Sequence, residues 1–148
     1  MTETPVELQP AGLLRRLAAL FYDSLLLLAC WFVATALLLP FTHGQAVAPH
    51  NPLLSTYLLF IAVFFYGWFW THGGQTLGMR AWKLQMRNLR EGPISWWQVL
   101  LRVLTAVPSA GLLGLGYLWL LVDKRHLSWH DRYSDTWIVK LQDTPHAR

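Results

Sequence analysis

The chain has 148 residues, enough for one domain, with 54% hydrophobic residues, only 14% charged residues and a formal net charge of +4. Water-soluble chains carry about 25% charged residues, so this balance argues against an ordinary soluble domain. The bases sit beside apolar runs rather than on a face of their own, which points to a lipid bilayer as partner and away from nucleic acid.

Residues 1–12 are polar, hold two prolines and Gly12, and read as a mobile N-terminal tail; 142–148 read as its C-terminal counterpart. A single membrane domain is expected over 13–141. Residues 17–39 contain one charge, Asp23, and are long enough to span a hydrocarbon core, which takes about 20 residues. Pro40 ends this first helix, and "PFTHGQAVAPHNP" at 40–52 is a loop. "LLAC" at 27–30 has the form of a lipoprotein cleavage box. The apolar run continues past Cys30, however, and Asp23 would interrupt a signal core, so Cys30 reads as a small helix residue. Residues 53–70 carry no charge and form the second span, stopped by Gly73 and Gly74.

In "AWKLQMR" Trp82, Leu84 and Met86 alternate with Lys83, Gln85 and Arg87, the period of a half-buried strand. After the turn "REGP", Ser95 and Gln98 have capping-box spacing and open a helix. Gln98, Arg102, Thr105 and Ser109 make one polar stripe along it. Residues 96–122 are too few for two crossings. A break near Pro108 would give a shallow hairpin; without it the segment is a single span. "TWIVKL" is a second strand, expected to pair with 82–87 on the cytoplasmic side. The fold class is thus an all-α membrane protein with two full transmembrane helices, a third apolar segment broken near Pro108 and a short strand pair.

Lys and Arg collect on the cytoplasmic side of a membrane. None lies between residues 17 and 79, whereas Arg15 and Arg16 precede the first span and the other ten follow the second. The N-terminus and 73–95 are therefore expected inside and the 40–52 loop outside. Charge bias favours the hairpin, because a third full crossing would put the basic C-terminal segment outside.

"LLRRLAALFYD", "GGQTLGMRAWKLQMRN" and "WHDRYSDTWIVK", in this order over about residues 10–141, resemble the RDD family of small bacterial integral membrane proteins, named for one arginine and two aspartates. The resemblance places the arginine at Arg16, the first aspartate at Asp23, and the second at Asp131 or its rival Asp123. It marks Gly73, Gly74, Gln75, Thr76, Gly78 and Arg80 as a motif loop, in which Leu77 and Met79 stand where many relatives carry Lys or Pro. It implies three spans, an inner-membrane location, and transport, including cation–proton exchange for some members.

Asp23 is the chemically informative residue. Arg16 lies two turns before it, about 10.5 Å away along the axis, too far for an ion pair within the helix, and is expected to snorkel to the phosphates. The face of Asp23 also carries Ala19, Cys30 and Ala34, so Asp23 should point at protein. Arg102, the base within the third segment, is the expected partner. An ion pair locking two helices is the structural reading; a carboxyl trading a proton for a cation is the functional one. His130 and Asp131 are two residues short of a metal site, with only His126 and Asp135 nearby, so Asp131 reads as a turn residue or a partner of Arg80. His43 and His50 lack a third ligand, and "GLLGLG" follows no strand. No nucleophile–base arrangement stands out, so neither an enzyme nor a cofactor is expected. The expected function is transport of a small ion or solute around Asp23, which needs a homo-oligomer. The alternative is a partner subunit or assembly factor of another membrane protein.

Overall fold

The computed structural model describes residues 8–48, 50–112 and 114–141. The tail expected over 142–148, and residues 1–7 of the one expected over 1–12, lie outside these. Gln9–Pro10 departs from the tail reading: it forms a short strand, β1. Ala11 continues the contact, its N–H donating to the Ile138 carbonyl at 2.9 Å.

The first long helix, α1, runs Leu13–Ala36. It starts before the apolar run does, so the Arg15–Arg16 pair lies in its first turns. Its buried residues, Arg16, Ala19, Asp23, Leu27 and Ala34, fall three, four or seven apart and form one face. Cys30 is exposed, and Leu27 takes the place on that face expected for it. The second helix, α2 (Pro52–Thr71), is capped by Asn51, whose side chain accepts the Leu53 N–H, with Pro52 at the first helical position. These are the two helices long and apolar enough to cross a bilayer among the described residues. At about 1.5 Å per residue they reach about 36 and 30 Å. Away from Asp23 they bury little: Phe21, Leu25, Leu28, Phe32, Phe60 and Phe64 are all exposed. Buried instead are Arg16, Asp23, Arg102, His130 and Asp131. Apolar outside and ionic inside is the arrangement of a chain whose solvent is lipid.

Between α2 and the next strand lies a five-residue helix, α3 (Leu77–Ala81), capped by Thr76. The strand β2 (Leu84–Asn88) buries Leu84 and Met86, as the alternation predicts. Ser95 and Gln98 form their capping box and open α4 (Trp96–Gly111). The helix does not break at Pro108. Proline removes one N–H from the ladder, but the turn closes beyond it, with the Leu112 N–H on the Pro108 carbonyl at 3.0 Å. The reversal comes later, at Gly114, which has φ +77°, before α5 (Leu115–Val122). A β-carbon on Gly116 of α5 would fall 2.9 Å from Cβ of Ser109, so α5 folds back on α4 and the apolar segment is a hairpin within the protein. A further short helix, α6 (Trp129–Tyr133), leads into β3 (Thr136–Lys140).

The expected strand pair is a three-stranded antiparallel sheet in the order β1-β3-β2, with Leu84 opposite Lys140 and Asn88 opposite Thr136. It joins the residues just before α1, the middle of the 73–95 segment and the C-terminal strand in one layer. A core of Ala19, Trp70, Met79, Leu84, Val99 and Ile138 packs between this layer and the helices.

Candidate functional site

Two buried polar clusters lie where α1 meets the sheet layer. The first centres on Asp131, which is completely buried. Ser128 and Asp131 form a reciprocal capping box at the start of α6, which fixes the carboxylate. Arg16 Nη1 donates to Oδ2 at 2.5 Å and Arg102 Nη1 donates to Oδ1 at 2.5 Å, while the Ser128 N–H reaches Oδ2 at 3.0 Å. Arg16 also donates to the carbonyls of Ala11 (3.0 Å) and Ile138 (3.3 Å), and Arg102 Nη1 to Thr136 Oγ1 at 2.9 Å. Burial works to raise the pKa of Asp131, but Arg102 and then Arg16 outweigh it and hold the carboxyl well below the ordinary carboxylate range. This ion triad ties α1, α4 and α6 together.

The second cluster centres on Asp23. Thr76 Oγ1 donates to Oδ2 at 2.5 Å, and the Gly78 N–H donates to Oδ1 at 2.9 Å. Thr76 also accepts the Met79 N–H at 3.2 Å, so the cap of α3 and the anchor of Asp23 are the same hydroxyl. Gly78 is required by proximity: a β-carbon there would lie 2.9 Å from the Asp23 carboxyl. Gly74 has φ +69° and runs against the backbone of Met86. The Gln75 side chain donates to the Leu84 carbonyl at 2.6 Å, and the Gln85 side chain donates to the Gly73 carbonyl at 3.2 Å.

Three expectations are corrected here. Arg102 does not pair with Asp23, because segment 76–78 covers the Asp23 oxygens while Arg102 faces α6. Arg16 does not snorkel to phosphates: α1 begins early enough to turn it inward, under the sheet, against backbone carbonyls. Asp131 pairs with neither Arg80, which is exposed, nor a mere turn. Sequence reasoning also missed Thr76 as the partner of Asp23, although S-x-x-D at 128–131 carried the capping spacing that positions Asp131.

A cavity of about 250 Å³ opens beside both clusters, lined by Arg16, Asp23, Tyr66, Trp70, Arg102 and His130 among others. The Trp70 indole stacks under the Arg102 guanidinium at 5.5 Å. The buried His130 ring packs edge-on to Tyr117 at 4.4 Å. Burial first, and then Arg102, push its pKa down to about 3, so the imidazole is neutral. Among the described residues, no group of three or more His, Cys, Asp or Glu side chains is placed to hold a metal ion.

A family model described as the RDD family matches residues 10–135, covering the first two motif blocks, the start of the third, and Arg16, Asp23, Arg102 and Asp131. The chain belongs to the RDD family. No curated protein and no solved structure matches it. Family membership and the two apolar helices make this RDD protein a membrane protein. Of the two candidates for the second RDD aspartate, Asp131 joins Arg16. Asp123 instead accepts the Leu127 N–H at 3.0 Å and pairs with Arg132; the Leu127 amide contributes most to lowering its pKa.

Proposed function

We propose that this RDD protein moves a small ion or solute across a bacterial inner membrane, with Asp23 taking up and releasing the coupled proton. One observation carries the reading: Asp23 is buried in the first span, beside a cavity, and among the described residues is held only by the neutral donors Thr76 and Gly78. A carboxylate clamped between two guanidiniums, as Asp131 is, stays ionised at neutral pH. One held by a hydroxyl and an amide can exchange a proton while keeping its place. The arrangement supports binding and proton exchange.

The basic residues support an orientation. Arg15, Arg80, Lys83, Arg87, Arg90, Lys124, Arg125, Arg132 and Lys140 flank or belong to the sheet layer, and the 40–52 loop has no Lys or Arg. The sheet layer and both ends of the chain are then cytoplasmic. Two crossings and a hairpin do not enclose a pathway, so the working unit in this reading is a homodimer.

The test is proton flux in vesicles made with the purified protein alone. An imposed pH gradient should dissipate on adding Na⁺ or K⁺, or on adding benzoate faster than benzoic acid leaks through protein-free vesicles, and Asp23→Asn, which can still accept the Gly78 N–H, should insert normally but abolish the protein-dependent response. Absence of protein-dependent flux for all three solutes, together with copurification of one stoichiometric membrane protein, would replace transport with the role of a partner subunit.

A further inference from the structure

We propose that the cavity beside Asp23 binds a small organic acid, a monoanionic carboxylate with an apolar body, and that it takes up one proton on Asp23 as the anion enters. The proposal rests on the transport reading for the role of Asp23 and adds the class of solute.

Unpartnered donors belong to residues that line this space. Only Nη1 of Arg102 is engaged among the described residues, leaving Nε and Nη2 of a guanidinium that is 4% exposed. The indole N–H of Trp70, itself 9% exposed, is buried without an acceptor, and both ring nitrogens of His130, one a donor and one an acceptor in the neutral ring, are without a partner. Buried donors without acceptors are costly unless a ligand or water supplies them. The Tyr66 and Tyr117 hydroxyls, which also line the cavity, have no protein partner among the described residues. Acceptors are fewer: each Asp23 oxygen already accepts one hydrogen bond, and neutral His130 offers one ring nitrogen. A cation entering here would also meet two guanidiniums. A carboxylate would meet the fork geometry that guanidinium presents to it.

Charge makes the same point. The charged and titratable groups around Asp23 are Arg16 on α1, Tyr66 on α2, Arg102 on α4, Tyr117 on α5, and His130 and Asp131 on α6. With His130 neutral, two guanidiniums less one carboxylate leave one positive charge. Ionised Asp23 cancels it; protonated Asp23 leaves it for an incoming anion to cancel. Because unbalanced buried charge is expensive, anion and proton enter together. The remaining wall is apolar, with Ala19, Leu20, Ala62, Val103, Val107 and Ile138. At about 250 Å³ the space is smaller than the roughly 300–1,000 Å³ of sites for drug-sized ligands, which suits an acid of one ring or a short chain.

Calorimetry on the full chain in lipid nanodiscs tests this without flux, with benzoate as the probe and empty nanodiscs as the blank. Titrations near pH 6.5 in two buffers of different ionisation enthalpy should show benzoate binding with close to one proton taken up per anion. Asp23→Asn should bind benzoate without that proton. Trp70→Phe, which keeps a ring under Arg102 but removes the N–H, should weaken benzoate about tenfold, the loss of one hydrogen bond to a charged group. Tyr66→Phe provides a second variant should Trp70→Phe fail to fold. Binding of benzylammonium as tight as benzoate, benzoate binding with no proton uptake in the wild type, or no binding at all would overturn the proposal. Benzoate binding in a protein that moves nothing would sink transport and leave the site. Flux driven by Na⁺ or K⁺ without benzoate binding would do the reverse.

Discussion

At Asp131, two arginines from distant parts of the chain meet one carboxylate with no water-exposed surface. Breaking a buried ion pair costs about 3–5 kcal/mol, since the surviving charges stay buried. Asp131→Asn keeps the shape and the capping acceptor and removes the charge. It should therefore lose about that much stability at pH 7, read by denaturation in detergent. The pH dependence has a definite sign. The folded carboxyl is held below its ordinary value, near 3.9, so its stabilisation is complete above about pH 4 and is lost as pH falls through the lower folded value. The gap between wild type and Asp131→Asn should shrink below about pH 4; a gap constant down to pH 2 would mean that the charge is not what stabilises. In the sequence, Arg16, Asp23 and Asp131 are recognisable as the charges that matter, but their pairing is not. Arg16 and Asp131 are 115 positions apart, and no local pattern links α1 to α6. The partner of Asp23 is hidden for another reason: a threonine before a short helix reads first as a cap, and here it serves as cap and donor at once.

Among the elements, the motif loop is the part whose residues have the least latitude. Gly74 needs its positive φ, Thr76 caps α3, and Gly78 admits the Asp23 carboxyl against its Cα. Gly78→Ala would press a methyl group onto Asp23 and the Ala19 carbonyl. Overpacking of this kind typically costs about 1–3 kcal/mol, and the melting temperature should drop accordingly. Gly73→Ala is the control: a β-carbon there meets nothing within 4 Å, so the change should stay within about 0.5 kcal/mol. Equal losses for the two glycines would mean that the closeness of Asp23 does not set the sensitivity. The long elements are legible from composition and period alone: both apolar helices and the Ser95 capping box follow from local rules, and the strand expected over 82–87 lies at 84–88, with Trp82 capping α3 instead. The end of α4 is not. Pro108 looks like a break, yet helices buried in lipid or protein tolerate proline when the neighbouring turns close, and the reversal waits for the left-handed Gly114. The strand β1 is illegible too, since two residues containing a proline acquire strand geometry only from β3 beside them.

For the whole molecule, the sheet decides more than the hydropathy pattern does. β1 precedes the first apolar helix, β2 follows the second and β3 follows the α4–α5 hairpin, yet all three are hydrogen-bonded in one layer. A chain that crossed fully a third time would carry β3 to the opposite face, some 30 Å of hydrocarbon away, and the sheet could not form. The positive-inside pattern and the sheet both favour the proposed hairpin over a third full crossing, and they make a prediction that separates the two arrangements. With Cys30→Ser as background, single cysteines at Gln45, Glu91 and Arg125, all exposed, report the sides of the membrane. A membrane-impermeant maleimide applied to intact cells should label Gln45→Cys alone. Glu91→Cys and Arg125→Cys should label only after the membrane is opened. Labelling of Arg125→Cys in intact cells would carry β3 outside, separate Asp131 from Arg16, and dissolve the ion triad on which the assembly of the domain depends.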